Sequence, residues 1–396
     1  MLNRDATNHR TLMTFGPAMR CVAFALLMIS PAMTFADSPE PSVKTIRIAS
    51  MNVSLYGDSA GQVAAKLGGG ADAQAIKLSR IIRTIRPDVL LLCEIDHEPD
   101  ATTVNQFADL YLNADRSDVT EPIDYPYRWS IPTNTGLLAD VDLDDDGRTV
   151  LPTDAWGFGR YPGQYAMAVL SRFPIDRDNA RTFQKYRWSN LPDALRPTDP
   201  DTGKPFYSDA VWQRLRLSSK NHVDVPIEIP ESAGGPRTLH FLVSHPTPPV
   251  FDGPEDRNGC RNHDEIRFWR DYVCTPNAEF LVDDNGISGG LGDDQWFAIA
   301  GDLNSDPLAG DSRQAGIKDL LACPQVQNVA PESEAHGVAT ALFGSRRVRV
   351  DYVIPSVNMP LVDCGVVWPE PSTSLGRCLD ATDHRMVWID IKPTPQ

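Results

Sequence analysis

The sequence predicts an α/β protein built as one elaborated domain. Short apolar runs stop abruptly at polar residues, as buried strands do. The polar residues at those stops are carboxylates, amides and imidazoles. The 396 residues contain no internal repeat and no obvious linker. Trp296 to Ala300 illustrates the pattern, being too short and too sharply stopped by Gly301 to be a helix. Glycine clears the space there, and Asp302 and Asn304, two positions apart, point the same way if the chain stays extended. One is a base or metal ligand, the other an amide that both donates and accepts hydrogen bonds. Gly, Asp and Asn also populate strand-end turns for conformational reasons, so this segment alone fits a turn as well as a site.

The other strand ends repeat the arrangement. Ile46 to Met51 alternates apolar and polar residues and delivers Asn52, and Asp88-Val-Leu-Leu-Leu-Cys-Glu94 is a buried strand ending in a carboxylate. Burying a lone Glu is costly, and a metal ion is an effective partner for several converging carboxylates. Leu239-His-Phe-Leu-Val-Ser-His245 ends in histidine, Val348 to Pro355 carries Asp351 inside an otherwise apolar strand, and Asp383-His384 immediately precedes the strand Met386 to Ile391. Singly, His245 and His384 fit capped surface histidines and Asp351 a satisfied buried acid. Jointly, that reading needs five coincidences.

Between Thr45 and Ile391 the landmarks are Ser50-Met-Asn-Val53, Pro87 to Glu94, Ala168-Val-Leu-Ser-Arg-Phe-Pro-Ile175, Ser244-His245, Gly301-Asp-Leu-Asn304, Val350-Asp-Tyr-Val353 and Thr382-Asp-His384. In that order they resemble the endonuclease/exonuclease/phosphatase superfamily, which includes deoxyribonuclease I, abasic-site endonucleases, neutral sphingomyelinases and inositol polyphosphate 5-phosphatases. Lys220-Asn-His-Val-Asp-Val-Pro226, the stretch from His245 to Gly259 and Asn262-His-Asp-Glu-Ile-Arg-Phe-Trp269 look like a secreted bacterial branch of it. The resemblance implies a four-layer α/β sandwich of the deoxyribonuclease I type: two mixed β-sheets face to face, helices outside, and the site at the strand ends.

It also implies roles. Asn52 and Glu94 resemble the pair that holds Mg²⁺ or Mn²⁺, with Glu94 the direct ligand and Asp383 a second metal contact. Asp302 resembles the residue that orients or deprotonates the attacking water, and Asn304 the donor to the phosphoryl oxygen. His384 then supplies a positive donor to the phosphate with Asp351 as its ion-pair partner, and His245 stands on the leaving-group side as general acid or donor. Two positions depart from the pattern. Ser54 stands where many relatives have an acid or Asn, which favours a single catalytic metal. Asp96 stands where relatives commonly have Gln or Asn, and is either an outer ligand or a cap.

The N-terminal stretch has Arg4, Arg10 and Arg20, then Cys21 to Ile29, then Pro31 to Ala36, the basic, apolar and small-residue parts of a secretory signal. Residues 1–36 are expected to be removed after Ala36, leaving a secreted or periplasmic domain of residues 37–396, a monomer without a membrane anchor. Cys93, Cys260, Cys274, Cys323, Cys364 and Cys378 remain. Cys260 with Cys274 and Cys364 with Cys378 would close short loops, while Cys93 reads as a buried free thiol. The connectivity is open, and no Cys-x-x-Cys pair suggests zinc.

The excess length lies in insertions at about 97–164 and 182–220, rich in Pro, Asp, Gly and aromatics, where substrate choice is expected. Tyr125, Tyr127, Trp129, Trp156, Tyr186, Trp188 and Trp212 form either a wall for a base or sugar or a small local core. Asp142, Asp144 and Asp146, followed by Gly147, match the first half of an EF-hand-like loop, but position twelve is Thr153. A structural Ca²⁺ site and a solvated acidic turn both fit. Loss of residues 1–36 removes three arginines and one aspartate and leaves a formal charge of −18, against −16 for the full chain. Non-specific capture of long nucleic acid is therefore weak without divalent cations. Arg346, Arg347 and Arg349 serve either one substrate phosphate or an exposed edge strand.

Together these readings give a Mg²⁺- or Mn²⁺-dependent phosphoester hydrolase, foremost a phosphodiesterase that includes the nucleases, with water attacking phosphorus in line. A phosphomonoesterase or a sphingomyelinase-like lipid-head-group phosphodiesterase is the alternative. A non-catalytic binding protein on the same fold is disfavoured by the complete set Asn52, Glu94, His245, Asp302, Asn304, Asp351 and His384.

Overall fold

The computed structural model describes residues 45–115, 121–230 and 237–392; the expected signal at 1–36 lies outside them. The described strands are β1 (Ile46–Leu55), β2 (Val89–Ile95), β3 (Tyr127–Ile131), β4 (Ala166–Ser171), β5 (Arg181–Thr182), β6 (His222–Ile229), β7 (Arg237–Ser244), β8 (Trp296–Asp302), β9 (Ala341–Phe343), β10 (Arg346–Val348), β11 (Asp351–Pro355), β12 (Leu361–Val366) and β13 (Val387–Ile391). The α-helices are α1 (Gln62–Leu67), α2 (Ala73–Ile85), α3 (Thr102–Phe107), α4 (Asp209–Trp212), α5 (Arg257–Cys274) and α6 (Ala315–Leu321).

Two mixed sheets carry the fold. One has the order β12-β13-β1-β2-β4-β3, the other β11-β8-β7-β6-β5, and β9 and β10 form a separate ribbon. Alternation along the strands shows how the layers stack. In β8, Trp296, Ala298 and Ala300 join Val223, Val225 and Ile227 of β6 and Leu90 and Leu92 of β2 in the core between the sheets. Phe297 and Ile299 point the other way, into a second core under Ile266, Phe268 and Trp269 of α5 and Ile317 of α6. The opposite outer layer is α2, capped where Asp72 accepts from Ala75 N at 2.9 Å, with Leu78, Ile81 and Ile82 buried. The predicted four-layer α/β sandwich is the observed fold.

Gly301 is required where β8 passes β7. A Cβ at that position would lie 2.0 Å from the Ser244 carbonyl oxygen, so the strands reach their polar ends side by side only with glycine there. Two expectations about strand geometry fail. Asp351 opens β11 instead of lying inside a strand from Val348 to Pro355, because Val348 belongs to the separate ribbon with β9. Asn304 is outside β8 in the left-handed region, at φ 53°, so it does not continue the extended line of Asp302.

The insertions pack inward. Trp156, Tyr186, Trp188 and Trp212 belong to the second core and Tyr125 to the first, whereas Tyr127 is exposed. They form no single aromatic wall. The disulfide joins Cys274 to Cys323, and both expected pairings are corrected. Cys260 and Cys274 lie fourteen residues apart in one helix, about 21 Å at 1.5 Å per residue, far beyond disulfide reach. Cys364 is fixed on edge strand β12 opposite Ile389, while Cys378 is buried in the 3₁₀ turn Gly376–Ala381; both are free thiols, as are Cys93 and Cys260. The bond ties the end of α5 to the chain just beyond α6. No described helix is long and apolar enough to cross a membrane.

Two measurements check this architecture. Gly301→Ala is expected to destabilise the protein by at least about 1–3 kcal/mol in urea unfolding, the usual cost of overpacking; an unchanged midpoint would mean the β7–β8 approach is looser than described. Peptide mapping under non-reducing conditions should recover a Cys274–Cys323 pair, and Cys274→Ser should cost about 2–4 kcal/mol. Recovery of a Cys364–Cys378 peptide would contradict the structure.

Candidate active site

Strand direction brings the polar residues together. β1 and β2 run parallel, so Asn52 and Glu94 emerge at the same edge, and β13 runs antiparallel to β1, which places His384, just before it, at that edge too. In the second sheet, β7 and β8 are parallel and deliver His245 and Asp302, while β11 runs back from Asp351, directly opposite Asp302.

Asp302, 2% exposed, is the hub. Its Oδ2 accepts from Asn52 Nδ2 at 3.1 Å and lies 3.5 Å from His245 Nε2 and 3.6 Å from His384 Nε2, while Oδ1 accepts from Asn304 N at 3.0 Å. Burial pushes its pKa up to about 6; His384 and the two donors pull it down and Asp351 adds to the rise. His384 is buried as well, which opposes its charge, yet Asp351, Asp302 and Asp383 outweigh burial and raise it to about 10. The Asp351 contact, His384 Nδ1 to Oδ2 at 2.9 Å, fixes the ring so that Nε2 faces Asp302. His245 behaves in the opposite way: burial, with Lys220 and His384 nearby, holds it well below the usual imidazole range and therefore neutral. Neither of its ring nitrogens has a hydrogen-bond partner.

Glu94 sits on the half-open side of the cluster, at φ 57°, where the pairing of β2 with both neighbours slips after Cys93. That bulge re-aims the carboxylate, at the conformational cost a non-glycine residue pays in the left-handed region. Burial raises its pKa, and Asn52, His384 and Lys220 offset this. Glu94, His245 and Asp302 bring a ligand atom each to within 4.8 Å of one another. The Glu94 and Asp302 carboxylates together fit a divalent cation, for which oxygen donors suit Mg²⁺ or Mn²⁺, and neutral His245, its nitrogens without partners, stands next to that point. Asp302, Asp351 and His384 also converge, but a protonated His384 cannot ligate. Asn52 turns its Oδ1 to Ser54 N at 3.1 Å and its amide NH₂ to the carboxylates, and so orients them. Asp383 stays at the rim, half-exposed and 3.8 Å from His384 Nε2. Asn304 joins two loops, donating from Nδ2 to Pro246 O at 3.1 Å.

Helix α5 holds these loops from outside, a role not assigned from sequence. Buried Glu265 accepts from Ser219 N and Thr247 N, both at 2.6 Å, and Asn262 Nδ2 donates to Thr247 O and Leu303 O, both at 2.9 Å. Asp264 accepts from Trp188 Nε1 and Leu195 N, both at 2.7 Å. The signal was Asn262-His-Asp-Glu265, with three polar residues that the helix buries fully.

The model of the endonuclease/exonuclease/phosphatase family matches residues 66–384. The chain belongs to this family. Among solved structures, an endonuclease/exonuclease/phosphatase from Beutenbergia cavernae shares 15% identity over 88% of this chain and 72% of its own, with a TM-score of 0.51. Human nocturnin's catalytic domain shares 12% over 89% and 94%, TM-score 0.45, and sphingomyelinase C from Streptomyces griseocarneus 14% over 87% and 99%, TM-score 0.43. No curated protein matches the sequence. The family's members are phosphoester hydrolases that generally use divalent metals, in keeping with the donor set above.

Other expected residues lie apart from this cluster. Asp142, Asp144 and Asp146 gather within 4.8 Å in an exposed turn, where Asp142 accepts from Asp145 N and Gly147 N. Asp154 is buried and caps the same loop through Leu143 N and Val150 N. Asp96 is buried and its Oδ2 accepts from Tyr161 OH at 2.6 Å. The arginine cluster disperses, with Arg346 paired to Asp311 and Arg349 buried on Val329 O and the Tyr352 ring.

The Asp351–His384 pair has a pH signature. Its contribution to stability is complete below about 6.5, the ordinary imidazole value, and is lost as pH rises through about 10. Asp351→Asn should move the His384 ring titration, followed by NMR, at least one pH unit to the acid side; an unshifted ring would mean that Asp351 is not its charge partner.

Proposed function

We propose that the protein is an exported, Mg²⁺- or Mn²⁺-dependent phosphodiesterase in which water attacks phosphorus in line. The observation that carries this reading is the pairing at one strand edge of a buried carboxylate, Asp302, with a cationic imidazole, His384. Each keeps the ionisation the reaction needs between about 6 and about 10. A divalent cation held by Glu94 and oriented through Asn52 would supply Lewis-acid polarisation of the phosphoryl oxygen. Asp302 orients the water and receives its proton at Oδ2. His384 Nε2 donates to the phosphoryl oxygen as charge builds, and the half-buried Asn304 amide, which keeps one N–H beyond its bond to Pro246 O, is the second donor in this reading. Asp351 keeps His384 protonated and correctly turned.

The neutral state of His245 supports the donor role, not the general-acid role, on the leaving-group side, because an imidazole pushed well below 6.5 carries no acidic proton at neutral pH. The formal charge of −16 weighs against long nucleic acid as the habitual substrate and towards smaller phosphodiesters. Export rests on the basic, apolar and small-residue order of the first 36 residues.

Assay of the protein with a generic phosphodiester and a generic phosphomonoester, each with Mg²⁺ and with chelator, tests the proposal. Turnover of the diester that chelator abolishes and Mn²⁺ restores is expected. Asp302→Ala and His384→Ala should each lower turnover by about 10²–10⁴ with the circular dichroism spectrum unchanged. Chelator-resistant turnover, or wild-type rates in either variant, would remove the mechanism.

A further inference from the structure

We infer that Lys220 is a catalytic residue of this site, its ammonium binding a non-bridging oxygen of the substrate's phosphoryl group; the inference rests on reading the cluster as a phosphoester site. Lys220 lies two residues before β6, whose first residue, His222, pairs with Ser244, so it stands beside His245 at the edge where both sheets end. The backbone there is pinned. Lys220 O accepts from Asn134 N at 2.9 Å, Ser219 N donates to Glu265, and Asn221 Nδ2 donates to Pro132 O at 3.0 Å.

The side chain is in an unusual position for a lysine. The residue is 6% exposed, yet among the described residues its ammonium has no hydrogen bond and no ion pair. The ammonium itself is not sealed in but accessible, and a lysine serving only to balance the acidic cluster would be expected to close on one of its carboxylates. Glu265 is the carboxylate that acts most strongly on it by charge, yet its oxygens face Ser219 N and Thr247 N and Lys220 forms no ion pair with it. The charge instead acts across the site, on Glu94, Asp302 and His245. Burial lowers the Lys220 pKa and the carboxylates around it hold it up, so it is a cation at the wall of the site, beside protonated His384. The site is rich in carboxylates, Glu94, Asp302, Asp351 and Asp383 among them, so the Lys220 and His384 cations together with a divalent cation are what lets an anionic phosphoryl group approach. Helix α5 turns Glu265 towards backbone donors and not towards the ammonium.

The test compares wild type with Lys220→Met, which keeps the length and removes the charge, and with Lys220→Arg. Inorganic phosphate is the probe, followed by ³¹P NMR with Mg²⁺ present, together with kcat/KM on a generic phosphodiester and the melting temperature. For Lys220→Met the expected results are phosphate affinity at least tenfold weaker, kcat/KM lower by about 10²–10³ as for loss of one transition-state donor, and a melting temperature equal to or above wild type. Lys220→Arg should recover part of the phosphate affinity. Phosphate affinity and kcat/KM both within twofold of wild type in Lys220→Met would overturn the inference. So would a lower melting temperature with phosphate affinity unchanged, which is the outcome of a structural role, or a wild-type protein that binds no phosphate. A wild type that binds phosphate through Lys220 but hydrolyses no phosphoester would instead sink the proposed function and leave the anion contact standing.

Discussion

A carboxylate buried at the seam between two sheets persists only if both sheets supply its donors, and Asp302 is such a carboxylate. Asn52 reaches it from one sheet, the turn at Asn304 satisfies it from its own strand's exit, and two imidazoles face it from the ends of β7 and of the approach to β13. An unpaired charge in that position would cost several kcal/mol. The arrangement of strand ends is therefore constrained by this buried group, and the close passage at Gly301 is what lets β7 and β8 arrive together.

Around that hub the ionisation states are divided by partner. His384 and His245 stand at nearly the same distance from Asp302 Oδ2 and are both buried. Only His384 has a second carboxylate, Asp351, on its other nitrogen, and the charges of Asp351 and Asp302 with that hydrogen bond outweigh burial and make it a cation, while His245, near Lys220, stays neutral. Two chemically identical side chains thus take different roles because one has a buried acid behind it. The outer helix contributes precision: α5 spends Glu265 and Asn262 on backbone groups of the loops leaving β7 and β8, and the Cys274–Cys323 bond fixes that helix's far end.

The strands were legible because burial on both faces leaves a run of apolar residues that stops at the sheet edge, and Asp302, His245, Glu94 and His384 were legible as the polar residues at those stops. Where the strand stops was less so. Asn304 was taken to continue the extended chain, yet local hydrogen bonding to Asp302 Oδ1 turns it into the left-handed region, a conformation Asn tolerates and an alternation pattern does not reveal. Lys220 reads only as part of a motif, with no role of its own, because a lysine in a polar stretch looks like solvated surface; its burial beside the site marks it. The disulfide escaped for a different reason: short loop closure favoured Cys260 with Cys274, but a continuous helix keeps them apart.

Sequence by itself determined the class of fold, the family and the chemical inventory, since apolar periodicity and the order of motifs are properties of the chain and survive without coordinates. Tertiary structure decided how that inventory is arranged: which histidine is charged, which acids meet at the strand ends, which lysine is buried there and which cysteines bond. Those are matters of distance and desolvation between residues up to 250 positions apart, as Asn52 and Asp302 are. Distances of that kind exist only once the two sheets have closed on each other.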